Sequence, residues 1–387
     1  MTHLDAGPTS AEALARIRLA RTEGIGPLTF RRLLERCGSA RAALAALPAL
    51  SARRGTPFAP PPEAGIRREM DGVARLGGRF LHLGEPGYPR LLALTEDAPP
   101  VLALLGEAEA LAAPAVAIVG ARNASAAGRR MAEDLAEALA GAGHAIVSGL
   151  ARGIDAAAHL GALRARGRTV AAVAGGLDQP YPPEHAALQN RIAAEGGVIL
   201  AEAPLGTAPL ARHFPRRNRI VAGLALGVVV VEAAPRSGSL ITARLALEQG
   251  RELFAIPGSP LDPRCRGSND LIRQGAHLTE GAEDVLAHLP EAPRDGPLFA
   301  LRAAGVAEAG VPPGAPPGAP PPASAQATSQ DTRAVVGLLG TTPVTVDDIL
   351  RRCDLSAAAV QAILLDLELD GRVEMLPGHR VALTGAG

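Results

Sequence analysis

Ala115-Val-Ala-Ile-Val-Gly-Ala-Arg122-Asn-Ala-Ser125 decides the fold: five apolar residues, a glycine and a short polar loop stand before a stretch of helical spacing. A run so short and so apolar, with no polar alternation, reads as a strand buried on both faces. The pattern repeats along the chain, at Ala145 to Val147, Thr169 to Ala174, Val198 to Ala201, Val228 to Val231 and Leu253 to Ile256. Most of these runs are followed by a helix-length segment, so they form βα units and predict a mostly parallel sheet with helices on both faces. Residues 79–290 are therefore expected to form a doubly wound, Rossmann-like α/β domain, with Val101 to Leu105 as a possible edge strand.

Two smaller modules flank this domain. Residues 1–78 are expected to hold a small helical module, in which Gly24-Ile-Gly26 makes a tight turn opening the basic helix that runs through Phe30-Arg-Arg32. That turn resembles a SAM or helix-hairpin-helix element, where backbone amides can hold a phosphate; a plain helix-helix turn fits as well. Residues 291–330 carry Val311-Pro-Pro-Gly-Ala-Pro-Pro-Gly-Ala-Pro-Pro-Pro322, a composition that buries no core and reads as a linker. In 331–387, three helices (Asp331 to Gly340, Val346 to Cys353, Ser356 to Asp370) precede an alternating hairpin, which makes a winged helix. Its third helix has no basic residue and three acids, Asp366, Glu368 and Asp370. Placing it in a DNA groove would bring acids to phosphates, so a protein-contact or regulatory role is expected instead.

Composition narrows the classes further. The 387 residues include 39 basic and 39 acidic side chains, and every basic one is arginine. The neutral total hides +6 over residues 1–80 and −3 over 331–387, and local charge, not the total, steers a polyanion. At 47% hydrophobic the chain can bury a real core, whereas 2% aromatic residues and no Trp leave no broad stacking platform. Cys37, Cys265 and Cys353 form no C-x-x-C pair, so neither a disulfide framework nor a zinc site is expected, and no metal. The absence of a signal-like start or a long apolar run predicts a soluble, cytoplasmic protein that does not enter a membrane.

In a parallel sheet the loops after the strands converge on one edge, where ligands bind near the switch in strand order. Three glycine-bearing loops lie there: Gly120-Ala-Arg122, Ser148-Gly149-Leu-Ala-Arg152-Gly153-Ile-Asp155 and Gly175-Gly176-Leu-Asp178. Each can present backbone N–H groups and a helix start to an anion, although glycine also serves ordinary strand-to-helix turns. Arg122 can then close on a phosphate. A basic loop, Arg212-His-Phe214-Pro-Arg216-Arg217-Asn218-Arg219, is expected to rim the same crevice, with Phe214 as its single ring. A ring among guanidinium groups can stack a base while its neighbours hold phosphates; the alternative is a buried Phe that anchors the loop. Ser237, Gly238 and Thr242 open a further helix, and Glu232 ends a strand where it can orient its neighbours. Asp155 and His159 are an i, i+4 pair, best read as a local cap or contact. Gly120 is not followed by the G-x-G-x-x-G spacing, so bound NAD is not expected, and no cofactor is.

These residues resemble the DNA-processing protein A family (DprA, Smf) of bacterial natural transformation. The resemblance runs in order from Gly87-Tyr-Pro-Arg-Leu91 through Ile118-Val-Gly-Ala-Arg122, Ser148 to His159, Gly175 to Pro182, Phe214 to Leu224, Glu232, Ser237 to Thr242, Pro257-Gly258 and Gly267 to Ile272. It implies a non-catalytic homodimer that binds and protects incoming single-stranded DNA and loads the RecA recombinase. Gly120 and Arg122 match the family's Gly-Ser-Arg phosphate site, with Ala121 in place of the serine. Two other functions compete with it. One is a nucleotide phosphoribohydrolase of the LOG, lysine-decarboxylase-like type, whose P-G-G-x-G-T-x-x-E pattern is absent. The other is a RecA-binding scaffold without DNA affinity.

Overall fold

The computed structural model describes residues 10–50, 58–291, 329–353, 355–376 and 380–384. The chain forms two compact units, Arg67–Ala300 and Met1–Ile66 with Leu301–Gly387. Of the expected linker, residues 292–328 lie outside the described residues.

The larger unit is built on nine strands. They are β1 (Arg79–His82), β2 (Val101–Gly106), β3 (Ala115–Gly120), β4 (Ala145–Ser148), β5 (Thr169–Val173), β6 (Val198–Ala201), β7 (Gly227–Val231), β8 (Glu252–Ala255) and β9 (His277–Leu278). Their order is β1-β2-β6-β5-β4-β3-β7-β8-β9. From β6 to β9 every pairing is parallel, while β1 and β2 add antiparallel strands at one side. The six expected βα strands are all present; the segment expected at the edge forms β2, but β1 pairs with its outer side, so it lies one strand inside the border, and β1 and the two-residue β9 are additional. β3 shows why the run was so apolar. Ala115, Ala117 and Val119 face one core and Val116 and Ile118 the other, so no position is left for a polar residue.

Helices α1 (Ser10–Ala20), α2 (Pro27–Cys37), α3 (Ala40–Leu50), α4 (Glu63–Arg75), α5 (Arg90–Ala93), α6 (Ala126–Gly141), α7 (Ile154–Arg164), α8 (Ala186–Ala194), α9 (His213–Leu224), α10 (Gly238–Glu248), α11 (Arg266–Arg273) and α12 (Ala282–His288) complete the order up to residue 291. Side chains of α9 and α10 share one core with β3 and β7, and those of α6 and α7 share the other. The sheet is thus covered on both faces.

The smaller unit contains α1 to α3 and the winged helix. In the latter, α13 (Ser329–Gly337), β10 (Val344–Thr345), α14 (Val346–Arg352), α15 (Ala357–Leu369), β11 (Val373–Leu376) and β12 (Arg380–Leu383) follow the expected order, with β10 added to the hairpin as a third strand. Pro27 sits at the first position of α2, where its missing N–H costs nothing. Gly38 ends the same helix in a left-handed conformation, φ +77°.

Candidate nucleic-acid interface

Strand order reverses at β3, whose neighbours are β4 on one side and β7 on the other. A crevice of about 760 Å³ opens there, outside the C-terminal ends of the strands, a volume in the range of ordinary ligand sites. Gly120 at the end of β3 with Ala121 to Asn123 after it, Gly149 and Ala151 after β4, and Ala234 to Gly238 after β7 line it, together with Tyr181, Phe214 and Arg217.

The loop after β3 is held from below. Glu232, just past β7, accepts a 2.8 Å hydrogen bond from the Ser125 N–H and a second, short one from the Ser125 hydroxyl. The same hydroxyl accepts from the Gly128 N–H at 2.9 Å and caps α6. Glu232 therefore orients this loop, as its place at a strand end suggested. Gly120 serves the sheet as well as the crevice: a Cβ there would stand 1.8 Å from the Val231 carbonyl oxygen. Gly153 adopts φ +76°, and a Cβ there would meet the Ala121 and Arg122 carbonyls at 2.2 and 2.7 Å. Both positions exclude any side chain, for reasons of backbone crowding rather than phosphate approach.

Arg122 is exposed and its guanidinium carbon lies 4.8 Å from the Phe214 ring centroid, a cation–π contact. Tyr181 meets the same ring edge-on, with centroids 5.6 Å apart and planes at 62°. The crevice thus has two rings, not the single one expected. Tyr181 lies in an irregular segment between Pro180 and Pro182, so no periodicity marked it.

The basic segment is not a loop. Residues 213–224 form α9, with Phe214, Pro215 and Arg216 in its first turn, where proline is tolerated. Helical geometry then divides the arginines. Arg217 turns inward: its Nη1 donates to the Ala172 carbonyl at 3.1 Å and stands 4.0 Å from Asp155 Oδ2. Its guanidinium fills the space left open by Gly149. Arg219 is buried away from the crevice, donating to the Asp97 carbonyl and, at 2.5 Å, to Glu202. Arg216 is exposed and stands 3.7 Å from Glu202, outside the lining. Asn218 donates to the Gly238 carbonyl at 3.2 Å and ties α9 to α10. Only Arg217 of the four clustered arginines faces the crevice, and it does so from a buried ion pair.

Other expected contacts are internal too. The Ser148 hydroxyl is buried and donates to the Ile118 carbonyl at 2.6 Å. Arg152 pairs with Glu184 at 2.5 Å, outside the lining. The loop of Gly175 and Gly176 packs on the carbonyls of Thr207 and Pro204, so it does not join the crevice. Ser237, Gly238 and Thr242 do line it, at the N-terminus of α10. Two further arginines do as well. Arg236 is exposed and makes no ion pair with a described acid, and Arg264 is held by Asp262 at 2.7 Å. Both lie outside any arginine cluster in the sequence.

Asp155 accepts from the N–H groups of Gly149 and Ala151 at 3.1 and 3.3 Å, fixing the turn after β4. Burial raises its carboxyl above the ordinary value, against the pull of Arg217. His159 bonds Thr169 Oγ1 at 2.7 Å, and Thr169 spends its own proton on the Ile146 carbonyl, so Nδ1 of the imidazole is the donor. Burial, then the charge of Arg217, lowers the His159 pKa to about 3. No group of three or more potential metal ligands occurs among the described residues, nor any helix long and apolar enough to cross a membrane.

The family described as "DNA recombination-mediator protein A" matches residues 79–290, "DprA-like N-terminal HHH domain" residues 10–72 and "DprA winged helix domain" residues 319–379. Protein Smf of Escherichia coli K12 is 38% identical over 306 residues, 77% of this chain and 76% of the relative. DNA processing protein DprA of Streptococcus pneumoniae R6 is 46% identical over 200 residues, 52% of this chain and 70% of the relative. The X-ray structure of DprA from Streptococcus pneumoniae superimposes with a TM-score of 0.62 at 34% identity, covering 72% of this chain and 99% of that one. Three consecutive domains agree with one family in sequence, and the fold agrees with a solved member: this chain belongs to the DNA-processing protein A (DprA/Smf) family.

Proposed function

We propose that the crevice binds single-stranded DNA without chemically altering it, and that the protein acts as a homodimer that presents the strand to the RecA recombinase. The observation that carries the reading is Arg122 stacked on Phe214 beside Tyr181, at the switch point of the sheet. Ring faces take up bases that have lost a stacking neighbour, which a duplex does not offer, while Arg122 and Arg236 supply charge for the backbone. Relatives named as DNA-processing proteins support the same substrate class. The lining carries one carboxylate, Asp155, already buried under two N–H groups and Arg217. That is a scaffold for a turn rather than a paired acid and base, which argues against the phosphoribohydrolase alternative.

A mobility shift comparing single-stranded with duplex oligonucleotides, with and without RecA, tests the reading. Preferential retention of the single strand and a ternary species with RecA are expected. RecA retention without DNA affinity would point to the scaffold instead, and release of adenine from AMP would point to the hydrolase.

A further inference from the structure

The acidic third helix of the winged domain does not face solvent alone. Its Leu365 and Leu369 belong to the apolar cluster of α1 to α3, with Phe30, Leu33 and Leu47, and not to the winged helix's own core. Around that contact the charges are ordered. The Thr29 hydroxyl donates to Glu368 Oε1 at 3.0 Å, Arg32 Nη1 stands 3.5 Å from Glu368 Oε2, and Arg36 Nη1 bonds Asp366 Oδ1 at 2.5 Å. Thr29, Arg32 and Arg36 are spaced i, i+3 and i+7, one continuous stripe of α2.

A hydroxyl and two guanidinium groups about one helical turn apart can donate to phosphate oxygens as they do to carboxylates. What they now hold is two carboxylates. The charges of the partners agree with this pairing, since residues 1–80 carry +6 and residues 331–387 carry −3.

We propose that the Thr29, Arg32 and Arg36 face of α2 is a second site for nucleic-acid phosphates, and that Asp366 and Glu368 of α15 occupy it in the place of those phosphates until a strand displaces them. This face belongs to the other unit and to other arginines than the crevice at the sheet edge. Burial raises the Glu368 carboxyl above its ordinary value despite Arg32 and Thr29. A partly desolvated pair returns little net stability, so a strand offering several charges can compete for Arg32 and Arg36. Leu365 and Leu369 keep the helix in place when no strand is present.

Two variants of the full chain release α15 by different means. Asp366→Asn/Glu368→Gln removes the charges, and Leu365→Ala/Leu369→Ala removes the apolar grip while leaving the winged helix's own core intact. Hydrogen exchange at the amides of α15 reads release, and titration of a labelled single-stranded oligonucleotide against salt reads binding. With two phosphates gained, the slope of log affinity against log salt should steepen by about 1.4, so a fourfold drop in salt yields a further factor of about seven. Adding Arg32→Ala/Arg36→Ala should abolish that gain.

Repeating the series in an Arg122→Ala chain separates the two sites: loss of crevice binding leaves the gain at α2 in place. A released α15 with an unchanged slope would overturn the proposal. So would a gain that survives Arg32→Ala/Arg36→Ala, or failure of both variants to release α15.

Discussion

Glu232 accepts hydrogen bonds from both the backbone N–H and the hydroxyl of Ser125, a residue 107 positions earlier in the chain. One carboxylate at the end of β7 thus fixes the loop that follows β3, and with it the position of Arg122. Replacing it by alanine should cost about 1–2 kcal/mol of stability, the scale of a lost helix cap with its buried donors. Oligonucleotide affinity should fall as well, because Arg122 is no longer held over Phe214. Urea denaturation and a binding titration on the same Glu232→Ala sample check both effects.

Arginines that look alike in the sequence should behave differently. Arg122→Ala and Phe214→Ala are expected to leave the unfolding midpoint nearly unchanged and to weaken single-strand binding, by about 1–3 kcal/mol where a stacked base is lost. Arg219→Ala should do the reverse, destabilising the fold by about 2 kcal/mol as Glu202 and the Asp97 carbonyl lose a buried donor. Calorimetry paired with fluorescence titration separates the two groups. Equal loss of affinity in folded Arg219→Ala would contradict the assignment.

Salt dependence should follow the arginines that line the crevice rather than the number clustered in the sequence. With Arg122 and Arg236 as contacts, Arg217 and Arg264 being held by Asp155 and Asp262, the slope of log affinity against log salt is expected near −1.4, about a sevenfold loss between roughly 50 and 200 mM. Four contacts from the Arg212 to Arg219 segment would give a slope near −3 instead. A titration series over that salt range distinguishes them.

His159 makes stability depend on pH. Its folded pKa of about 3 lies below the ordinary 6.5, so between these values the unfolded chain takes up a proton that the folded one refuses. Stability from this group is full above pH 6.5 and is lost as the pH falls, by about 1.4 kcal/mol per unit once well below 6.5. Asp155, with its raised carboxyl, acts with the opposite sign, so the comparison must be with His159→Gln. That variant should show a shallower loss of unfolding free energy between pH 7 and 5.

The sheet was legible because burial on both faces leaves each strand a short, purely apolar word, and the loops of residues 120–125 and 232–238 were legible because they must follow such words. The division of labour within the basic segment was not. Whether Arg217 and Arg219 turn inward depends on Asp155, Asp97 and Glu202, which only the folded chain brings near. Tyr181 and Arg236 stand in irregular segments, and their places are set by what they pack against. The acidity of α15 was legible, whereas its ion pairs are visible only once Arg32 and Arg36 are seen opposite it.

The outermost strands of the sheet are β1, four residues long, and β9, only two. An unpaired strand border is a template on which another chain can add itself, and its reach is set by its length. With nine strands but so little border, this sheet offers another chain few backbone groups on which to add a strand.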